Sequence, residues 1–363
     1  MEEATATQAP SGNGSLGLGL RRRARTVEPP ARDPLWTVEV TEREAALSAE
    51  VVERHFLDAV EAAEIAPATP DFFDAAEVVE GALPLQVRSA LAALRRGAVH
   101  AVVVRGLPFD GDPGPTPTHA GELPEPPRRG NALLAMAVRR LGDEFAYAME
   151  KKGATVHNVH PTHEGANTQS NAGFKVDLSL HTENAFHPLR PDFVCLYCVR
   201  SPEDTPATRL VMLDEILAQL TDEEIAVLRE PRFTIRVVDS HRAEGEADME
   251  LPVTPLTGSP RRPVIRWHET VCANDNIAAR VCQAFEDAAR SATRYVRLER
   301  GDMLAFANHT CLHGRDRFDA KLDGTDRWVL RGYALRDLTR TTAFVAPARP
   351  RVTRVDLAAV AGA

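Results

Sequence analysis

Three residues of the chain have the types and the spacing of a metal site. His181 and Glu183 lie two positions apart, and residues i and i+2 of a strand point to the same face. His313 follows a short apolar run that Gly301 and Asp302 open, and it precedes a glycine. Two imidazoles and one carboxylate form the facial triad that holds Fe(II) and leaves its opposite face open. An HxE pair alone is common by chance, so the prediction depends on what accompanies it.

Two arginines accompany the three candidate ligands. Arg327 lies 14 residues after His313 and Arg331 lies 18 residues after it, so the two arginines are four positions apart. On a strand they share a face, and both can point into one pocket. Arginine binds carboxylates through two parallel hydrogen bonds. The sequence therefore predicts two anionic ligands beside the metal.

Three segments together resemble the clavaminate synthase-like (TauD-type) Fe(II)/2-oxoglutarate oxygenases, especially the branch that hydroxylates free arginine, lysine and asparagine. The segments are LHTENAFHPLRPDFV (180–194), GDMLAFANHTCLHGR (301–315) and DGTDRW (323–328), with weaker similarity over about 90–340. The resemblance implies a double-stranded β-helix as the fold. It also implies Fe(II) as the metal, with 2-oxoglutarate and O2 as co-substrates.

The resemblance assigns roles at the metal and at the co-substrate. His181, Glu183 and His313 match the iron ligands of the catalytic centre. Arg327 matches the arginine that grips the distal carboxylate of 2-oxoglutarate, and Thr208 matches a threonine that supports the same carboxylate.

The resemblance also implies where an amino-acid substrate binds. Arg331 matches the arginine that holds the α-carboxylate of the substrate. Glu150 falls near the place where relatives keep a polar side chain for the α-amino group. We therefore expect a free amino acid or a derivative of one to bind by its carboxylate and its ammonium group.

One segment departs from the pattern of the arginine-hydroxylating relatives, which clamp the guanidinium with two aspartates. The comparable segment here is RWHET (266–270), where either His268 and Thr270 or Trp267 and Glu269 take those places, depending on register. A paired carboxylate clamp is therefore missing or reduced. We expect the substrate pocket to use His268 or Glu269, and a neutral, polar or anionic side-chain end suits it at least as well as a cationic one.

These features predict a 2-oxoglutarate-dependent dioxygenase that attacks an unactivated C–H bond in the side chain of an α-amino acid, in specialised (antibiotic) biosynthesis. Hydroxylation is the favoured outcome, and desaturation or ring and cyclopropane formation are alternatives. Because Glu183 supplies a carboxylate ligand, halogenation is not expected. Two alternatives come from other classes: a zinc hydrolase on the same three ligands, and a non-catalytic jelly roll that binds an amino acid.

Other histidines have simpler interpretations. His157, His160 and His163 form an HxxHxxH pattern in a loop, which predicts solvent-exposed or lid histidines in preference to a second metal site. His309 lies four residues before His313 and could mimic a zinc-binding pair, but a structural role is the preferred interpretation.

The elements that must position these residues form a mainly β domain with flanking helices. Short β-rich runs separated by turn residues recur from about residue 175, which is typical of a jelly roll (cupin-like, double-stranded β-helix) with helices packed outside. The capping box of Thr41 and Glu44 opens an amphipathic helix. The predicted helical stretches cover about 41–63, 71–96, 131–141, 213–229 and 275–290.

Composition excludes several classes of protein. The 363 residues include 43 Lys and Arg against 52 Asp and Glu, a net charge of −9 that argues against a nucleic-acid partner. No run approaches the roughly 20 apolar residues of a membrane span, and an odd count of five cysteines predicts a reduced, cytoplasmic protein. We expect a disordered tail over 1–35, a single oxygenase domain over 36–345 and a C-terminal tail over 346–363. The sequence sets no oligomeric state.

Overall fold

The computed structural model of the protein describes residues 33–122, 127–238, 241, 248–341, 345–346 and 349–353. Of the tail expected over 1–35, residues 1–32 lie outside the described residues. Most of the tail expected over 346–363 lies outside them as well. The domain limits at 36 and 345 therefore remain predictions. Within this described part of the chain, no helix has the length and the apolar character needed to cross a membrane.

Most of the strands are short. In chain order they are β1 (Leu35–Glu39), β2 (Ala101–Arg105), β3 (Asp143–Glu144), β4 (Ala146–Tyr147), β5 (Val156–Val159), β6 (Leu178–His181), β7 (Phe193–Arg200), β8 (Thr208–Met212), β9 (Phe233–Arg236), β10 (Glu250–Val253), β11 (Leu256–Ser259), β12 (Arg262–Ile265), β13 (Val271–Ala273), β14 (Arg294–Val296), β15 (Met303–Ala307), β16 (Cys311–Arg315), β17 (Trp328–Leu335), β18 (Val345–Ala346) and β19 (Arg349–Thr353). The α-helices are α1 (Glu42–Val52), α2 (Asp58–Ala62), α3 (Pro70–Val78), α4 (Leu85–Arg96), α5 (Arg128–Leu141), α6 (Leu213–Leu217), α7 (Asp222–Leu228) and α8 (Asn276–Ser291).

Two sheets form the framework around the site. The larger sheet has the order β1-β2-β15-β7-β17-β3, with β5 also paired to β17, and the smaller sheet has the order β14-β8-β16-β6. All neighbours in these two sheets are antiparallel except β1 and β2. Smaller sheets add β10-β9-β13, β11-β12 and β18-β19-β4. The predicted mainly β jelly roll with flanking helices is confirmed.

The pleat of the strands divides the apolar side chains among three cores. In β8, Leu210 and Met212 lie in a core between the two sheets, whereas Val211 faces the core under α6, α7 and α8. In β17, Tyr333 lies between the sheets and Leu330 faces the core beneath α1 to α5. Successive side chains of a strand point to opposite faces, so the same alternation decides which polar side chains reach the space between the sheets.

The helices begin where the sequence places their caps. The Thr41 hydroxyl accepts from the backbone N–H of Glu44, and the Glu44 carboxylate accepts from the backbone N–H of Thr41, which completes the predicted capping box. Thr221 and Glu224 repeat this arrangement at the start of α7. The predicted helical stretches are confirmed; α3 ends at Val78, and Pro84 is the N-cap residue of α4.

Candidate active site

The two candidate histidine ligands are neighbours across a pair of strands. His181 is the last residue of β6, and it lies opposite His313 of β16, with ring centroids 4.2 Å apart. Cys311 faces the core between the sheets, so alternation turns the His313 imidazole into the same space. The expectation that His313 lies just past the end of the strand closed by Ala307 is wrong, because His313 lies in the middle of the next strand.

Glu183 lies in a turn and not on a strand. Strand β6 ends at His181, so the expectation that one strand carries both His181 and Glu183 is wrong. Asn184 follows with φ 50°, in the left-handed region that asparagine tolerates better than most residues. The turn carries the Glu183 carboxylate to the histidines, with Oε2 at 3.4 Å from His313 Nε2.

The donor atoms of His181, Glu183 and His313 suit an Fe(II) ion. They lie within 4.8 Å of one another, and among the described residues no other three such side chains lie as close together. His181 Nδ1–H donates to the Ser179 carbonyl at 2.8 Å, which leaves the lone pair of Nε2 free for a metal. Two imidazoles and a carboxylate are the donor set that non-haem Fe(II) sites use.

Electrostatics keep two of these ligands in their metal-binding forms. Burial lowers the pKa of His181 to about 3, so its imidazole is neutral near pH 7. Burial by itself would raise the pKa of Glu183, but Arg331 and then His313 hold that pKa well below its usual range. The carboxylate is therefore ionised beside a neutral imidazole, as metal binding requires.

Arg331 is the centre of a buried polar cluster beside the triad. Its Nη1 donates to both oxygens of Glu183 at 3.2 Å, and its Nη2 donates to Glu150 and, at 2.8 Å, to His157 Nδ1. Its guanidinium carbon lies 4.9 Å from the centre of the Tyr333 ring. Burial lowers the pKa of Arg331, but Glu183 and its other neighbours raise it above its ordinary value overall.

Glu150 is held in the same cluster. The Tyr333 hydroxyl lies 3.3 Å from both of its carboxylate oxygens, and Asn184 Nδ2 lies 3.5 Å from one of them. Burial would raise the pKa of Glu150, but Arg331 and then His157 bring it below its ordinary value. The structure thus brings Glu150 and Arg331 together, although they are 181 residues apart in the sequence.

Arg327 has very different surroundings. Its guanidinium makes no hydrogen bond or ion pair with any described residue, and burial lowers its pKa. Arg315 had no role in the sequence prediction, but it lies close to Arg327. Burial and then the charge of Arg327 lower the pKa of Arg315 to about 10. Arg315 lies opposite Thr208 in the register of β16 and β8, and both side chains are buried. Thr208, Arg315 and Arg327 therefore form a cationic, hydroxyl-bearing group.

The segment 266–270 brings one of its two candidate residues to the triad. The His268 ring is half-buried, lies 5.7 Å from the His181 ring, and has its pKa lowered to about 4 by burial. Its Nδ1 lies 3.0 Å from the Thr270 hydroxyl. Glu269 is exposed, and Trp267 packs on Phe285 with ring centroids 4.1 Å apart. Of the two registers, the structure favours His268 with Thr270.

The HxxHxxH histidines do not share one environment. His157 is buried and contacts Arg331, so the expectation of an exposed or lid residue is wrong for it. His160 is buried as well, whereas His163 is exposed as expected. The preferred structural role of His309 is supported, because its Nε2 lies 3.0 Å from a carboxylate oxygen of Asp192.

Sequence reasoning missed His157, Tyr333 and Arg315 as members of the site. Tyr333 could have been found, because it lies two residues after Arg331 and must share its face of the strand. His157 comes from a different strand, and only the pairing of β5 with β17 sets it opposite Arg331.

A jelly roll that brings two histidines and a carboxylate together is the arrangement of the non-haem Fe(II) oxygenases. Residues 64–333 match the family described as taurine catabolism dioxygenase TauD, TfdA. The protein belongs to this family. It is a 2-oxoglutarate-dependent dioxygenase with Fe(II) as its cofactor and 2-oxoglutarate and O2 as its co-substrates.

Known proteins of this family resemble most of the sequence. It is 35% identical over 286 residues to an L-asparagine oxygenase of Streptomyces coelicolor, a match that covers 77% of this protein and 84% of that one. It is 34% identical to an L-lysine 3-hydroxylase of Catenulispora acidiphila, over 76% and 78% of the two proteins. A solved asparagine oxygenase with Fe(II), 3-hydroxyasparagine and succinate superposes with a TM-score of 0.80 at 30% identity, covering 88% of this protein and 99% of that one.

Proposed function

We propose that the protein oxidises an unactivated carbon in the side chain of a free α-amino acid, in natural-product (antibiotic) biosynthesis, with hydroxylation as the favoured outcome. The observation that carries the proposal is the buried cluster of Arg331, Glu150 and Glu183. It offers a cation for an α-carboxylate and a carboxylate for an α-ammonium group beside the metal ligands. The similar proteins include an asparagine oxygenase and a lysine hydroxylase, which supports an amino acid as the substrate class.

His181, Glu183 and His313 would hold the iron, which supplies with 2-oxoglutarate and O2 the oxidising power to break an unactivated C–H bond. Arg327 and Thr208 would hold the distal carboxylate of 2-oxoglutarate. The lack of an internal partner for Arg327 among the described residues supports this role, since a desolvated cation gains most from a bound anion.

Arg331 has to exchange partners when the substrate binds. It is engaged with Glu183 and Glu150, and the incoming α-carboxylate would take one of those places. The carboxylate of Glu150 is then free to accept from the α-ammonium group, with the Tyr333 hydroxyl beside it. His157 accepts from Arg331 through Nδ1 and donates from Nε2 to the Ala154 carbonyl, so it keeps the guanidinium oriented during the exchange.

The side-chain end of the substrate would face His268. That imidazole is neutral near pH 7, because burial lowers its pKa to about 4, and the carboxylate of the same segment, Glu269, is exposed. His268 Nδ1 accepts from the Thr270 N–H at 3.2 Å and the Thr270 hydroxyl donates to the Arg236 carbonyl at 2.9 Å, which leaves Nε2–H of His268 to donate to an amide, a hydroxyl or a carboxylate. A neutral imidazole does not neutralise a cation. We therefore place a neutral polar or anionic side-chain end ahead of lysine or arginine.

The test is succinate release from 2-oxoglutarate with Fe(II), ascorbate and air across a panel of free amino acids, with His313→Ala as control. Turnover with one panel member that the control abolishes supports the proposal. Mass spectrometry then separates a gain of one oxygen, which means hydroxylation, from a loss of two hydrogens, which means desaturation or ring closure. Product formation without O2 would identify a zinc hydrolase, and amino-acid binding without succinate would identify a binding protein.

The setting of the enzyme is part of the same proposal. The five cysteines are all free and three of them are buried, which supports a reducing, cytoplasmic location. The proposed partner is the small-molecule substrate, with neither nucleic acid nor membrane involved.

A further inference from the structure

Glu183 lacks the backbone support that strands give the two histidines. It lies beyond the end of β6, and the next residue, Asn184, has a left-handed backbone conformation. A residue in such a turn has no ladder partner for its N–H and C=O groups, yet buried backbone groups must be hydrogen-bonded. Some other part of the fold has to hold the carboxylate-bearing residue in place.

Asn308 supplies this support through its side chain. Its Oδ1 accepts from the Glu183 N–H at 2.7 Å, and its Nδ2 donates to the Glu183 carbonyl at 3.1 Å and to the Pro191 carbonyl at 3.0 Å. The side-chain amide thus takes the place of a neighbouring strand. Asn308 is fully buried, and its own N–H donates to the Asp192 carbonyl at 3.0 Å.

The position of Asn308 in the fold links two ligands. It begins the turn between β15 and β16, and β16 carries His313 five residues further on. The same short turn therefore fixes the backbone of one ligand and leads directly into the strand of another. A displacement of Asn308 would change the distance between the Glu183 carboxylate and the His313 imidazole.

We propose that Asn308 is the positioning residue of the metal centre, which sets the place of Glu183 relative to His313 and thereby sets metal affinity. This inference rests on the proposed function only in taking the triad as a metal site. Removal of groups that orient metal ligands costs about 10- to 100-fold in metal affinity in other proteins.

The test is titration of the full-length protein with Co(II), followed by its visible absorption. Asn308→Ala removes all three side-chain hydrogen bonds. Asn308→Asp keeps the size of the side chain and the acceptor for the Glu183 N–H, but it places a carboxylate against the carbonyl oxygens of Glu183 and Pro191. This variant replaces Asn308→Ala in the test if the alanine variant does not fold. We expect both variants to bind Co(II) about 10- to 100-fold more weakly, with a changed spectrum.

Asn131 offers a matched control. It is also a buried asparagine, and its Nδ2 donates to the Pro127 carbonyl at 2.9 Å, away from the triad. Asn131→Ala should destabilise the fold and leave Co(II) affinity unchanged. Wild-type affinity and spectrum in both Asn308 variants, or an equal loss of affinity in Asn131→Ala, would overturn the inference. A wild-type protein that fails to bind Co(II) at all would refute the proposed metal site itself.

An independent observation concerns a cavity of about 490 Å³ where α4, α5 and β17 end. Its lining includes four arginines: Arg95, Arg96, Arg140 and Arg336. Arg140 pairs with Glu80 at 3.0 Å, but the other three guanidinium groups form no ion pair with any described residue. Such a cluster is unexpected in a protein whose net charge is −9.

Helix dipoles account for only part of this cluster. Cations in the last turn of a helix are stabilised by its negative end. This effect explains the positions of Arg95 and Arg96 in α4 and of Arg140 in α5. Arg336 follows a strand, and its guanidinium is stacked 4.7 Å over the Phe193 ring, turned toward the others. The Nε of Arg140 is buried and has no hydrogen-bond partner among the described residues. Arg95, Arg96 and Arg336 are exposed, and of the four arginines only Arg140 pairs with a described carboxylate. This local excess of positive charge favours an anionic ligand.

We propose that this cavity binds a small phosphate-bearing molecule. Arginine forks match the tetrahedral oxyanion of a phosphate better than any other side chain does. The test uses the protein with Co(II) and saturating 2-oxoglutarate, so that Arg327 is occupied, and titrates inorganic phosphate at constant ionic strength by calorimetry.

The double variant Arg95→Gln/Arg336→Gln should bind phosphate at least about tenfold more weakly, which corresponds to about 1.4 kcal/mol. The control is Arg54→Gln/Arg290→Gln, which removes two exposed arginines elsewhere on the surface. Equal weakening in both double variants, or the absence of phosphate binding by the wild type, would overturn the proposal.

Discussion

Arg327 immediately precedes β17 and Arg331 lies within it four residues later, yet the two guanidinium groups have opposite surroundings. Arg331 contacts two carboxylates, an imidazole and an aromatic ring, and the two carboxylates and Tyr333 raise its pKa. Arg327 has no hydrogen bond or ion pair with any described residue, and burial lowers its pKa. One cation is satisfied within the described fold and the other is not.

The difference indicates how each end of the site recognises its ligand. A desolvated cation without an internal partner costs stability until an anion binds, so the Arg327 end is prepared for a ligand that brings its own charge. The Arg331 end is neutralised already, and a ligand there has to replace internal contacts with equivalent ones. A zwitterion can do so, because it brings an anion for Arg331 and a cation for Glu150.

The largest expected effect comes from Arg331→Leu. The substitution leaves Glu183 and Glu150 buried without their cation, which should lower the free energy of unfolding of the metal-free protein by about 3–5 kcal/mol. It should also lower kcat/KM for the amino acid by about 30-fold to several thousand-fold, since a buried charge pair with the substrate is worth about 2–5 kcal/mol. Urea denaturation and succinate assays measure the two effects.

The control for stability is Arg290→Leu, which removes an exposed partner of Asp287 and should cost no more than about 1 kcal/mol. An Arg331→Leu protein that is as stable as the wild type would contradict the view that Arg331 is neutralised within the fold.

Arg327→Gln should give the opposite combination of effects. The substitution removes charge-assisted hydrogen bonds to the co-substrate, worth about 1.5–3 kcal/mol each, so KM for 2-oxoglutarate should rise by at least about tenfold. Stability should stay constant or increase, because no described carboxylate loses a partner. The same urea denaturation and a titration with 2-oxoglutarate check both parts, and a loss of stability equal to that of Arg331→Leu would remove the contrast between the two arginines.

A smaller effect concerns pH at the Arg331 end. Burial lowers the pKa of His157 to about 4 from an unfolded value near 6.5, so between these values the unfolded state binds a proton that the folded state does not. His157 therefore makes the folded state less stable as the pH falls from about 6.5 toward 4. The stability of the wild type relative to His157→Gln should drop by on the order of 1 kcal/mol between pH 7 and 5.5. A difference that stays constant with pH would show that folding leaves the pKa of His157 unchanged, and a difference that grows as the pH falls would show that the fold favours the protonated imidazole.

The ligands and arginines were accessible to sequence reasoning because their chemistry depends on type and spacing. His181, Glu183, His313, Arg327 and Arg331 each carry a distinctive group, and the structure brings the first three and Arg331 into contact. The helices were accessible for a similar reason, since caps and 3.6-residue periodicity are local signals.

The rest depends on contacts between distant parts of the sequence. The apolar runs of β8 and β16 are short, because site residues occupy part of each strand: Thr208 begins β8, and His313 lies in the middle of β16. The support of Glu183 by Asn308 spans 125 residues, and no local pattern predicts it. The mistaken expectation of a strand through Glu183 has the same origin: alternation predicts a shared face but not where the strand ends.

The smallest expected effect lies at 268 and 269, where adjacent residues repeat the contrast between a side chain that faces the site and one that does not. His268→Ala should raise KM for the preferred amino acid about three- to fivefold, because it removes a hydrogen-bonding group near the triad, a change below about 1 kcal/mol. Glu269→Ala should change KM less than about twofold, since an exposed carboxylate is solvated with or without substrate. Because neither substitution alters the Arg327 end, KM for 2-oxoglutarate is the internal control. If Glu269→Ala raised KM for the amino acid more than His268→Ala does, the segment 266–270 would have to move when substrate binds. The alternative register, with Glu269 turned inward, would then be the one that contacts the side-chain end of the substrate.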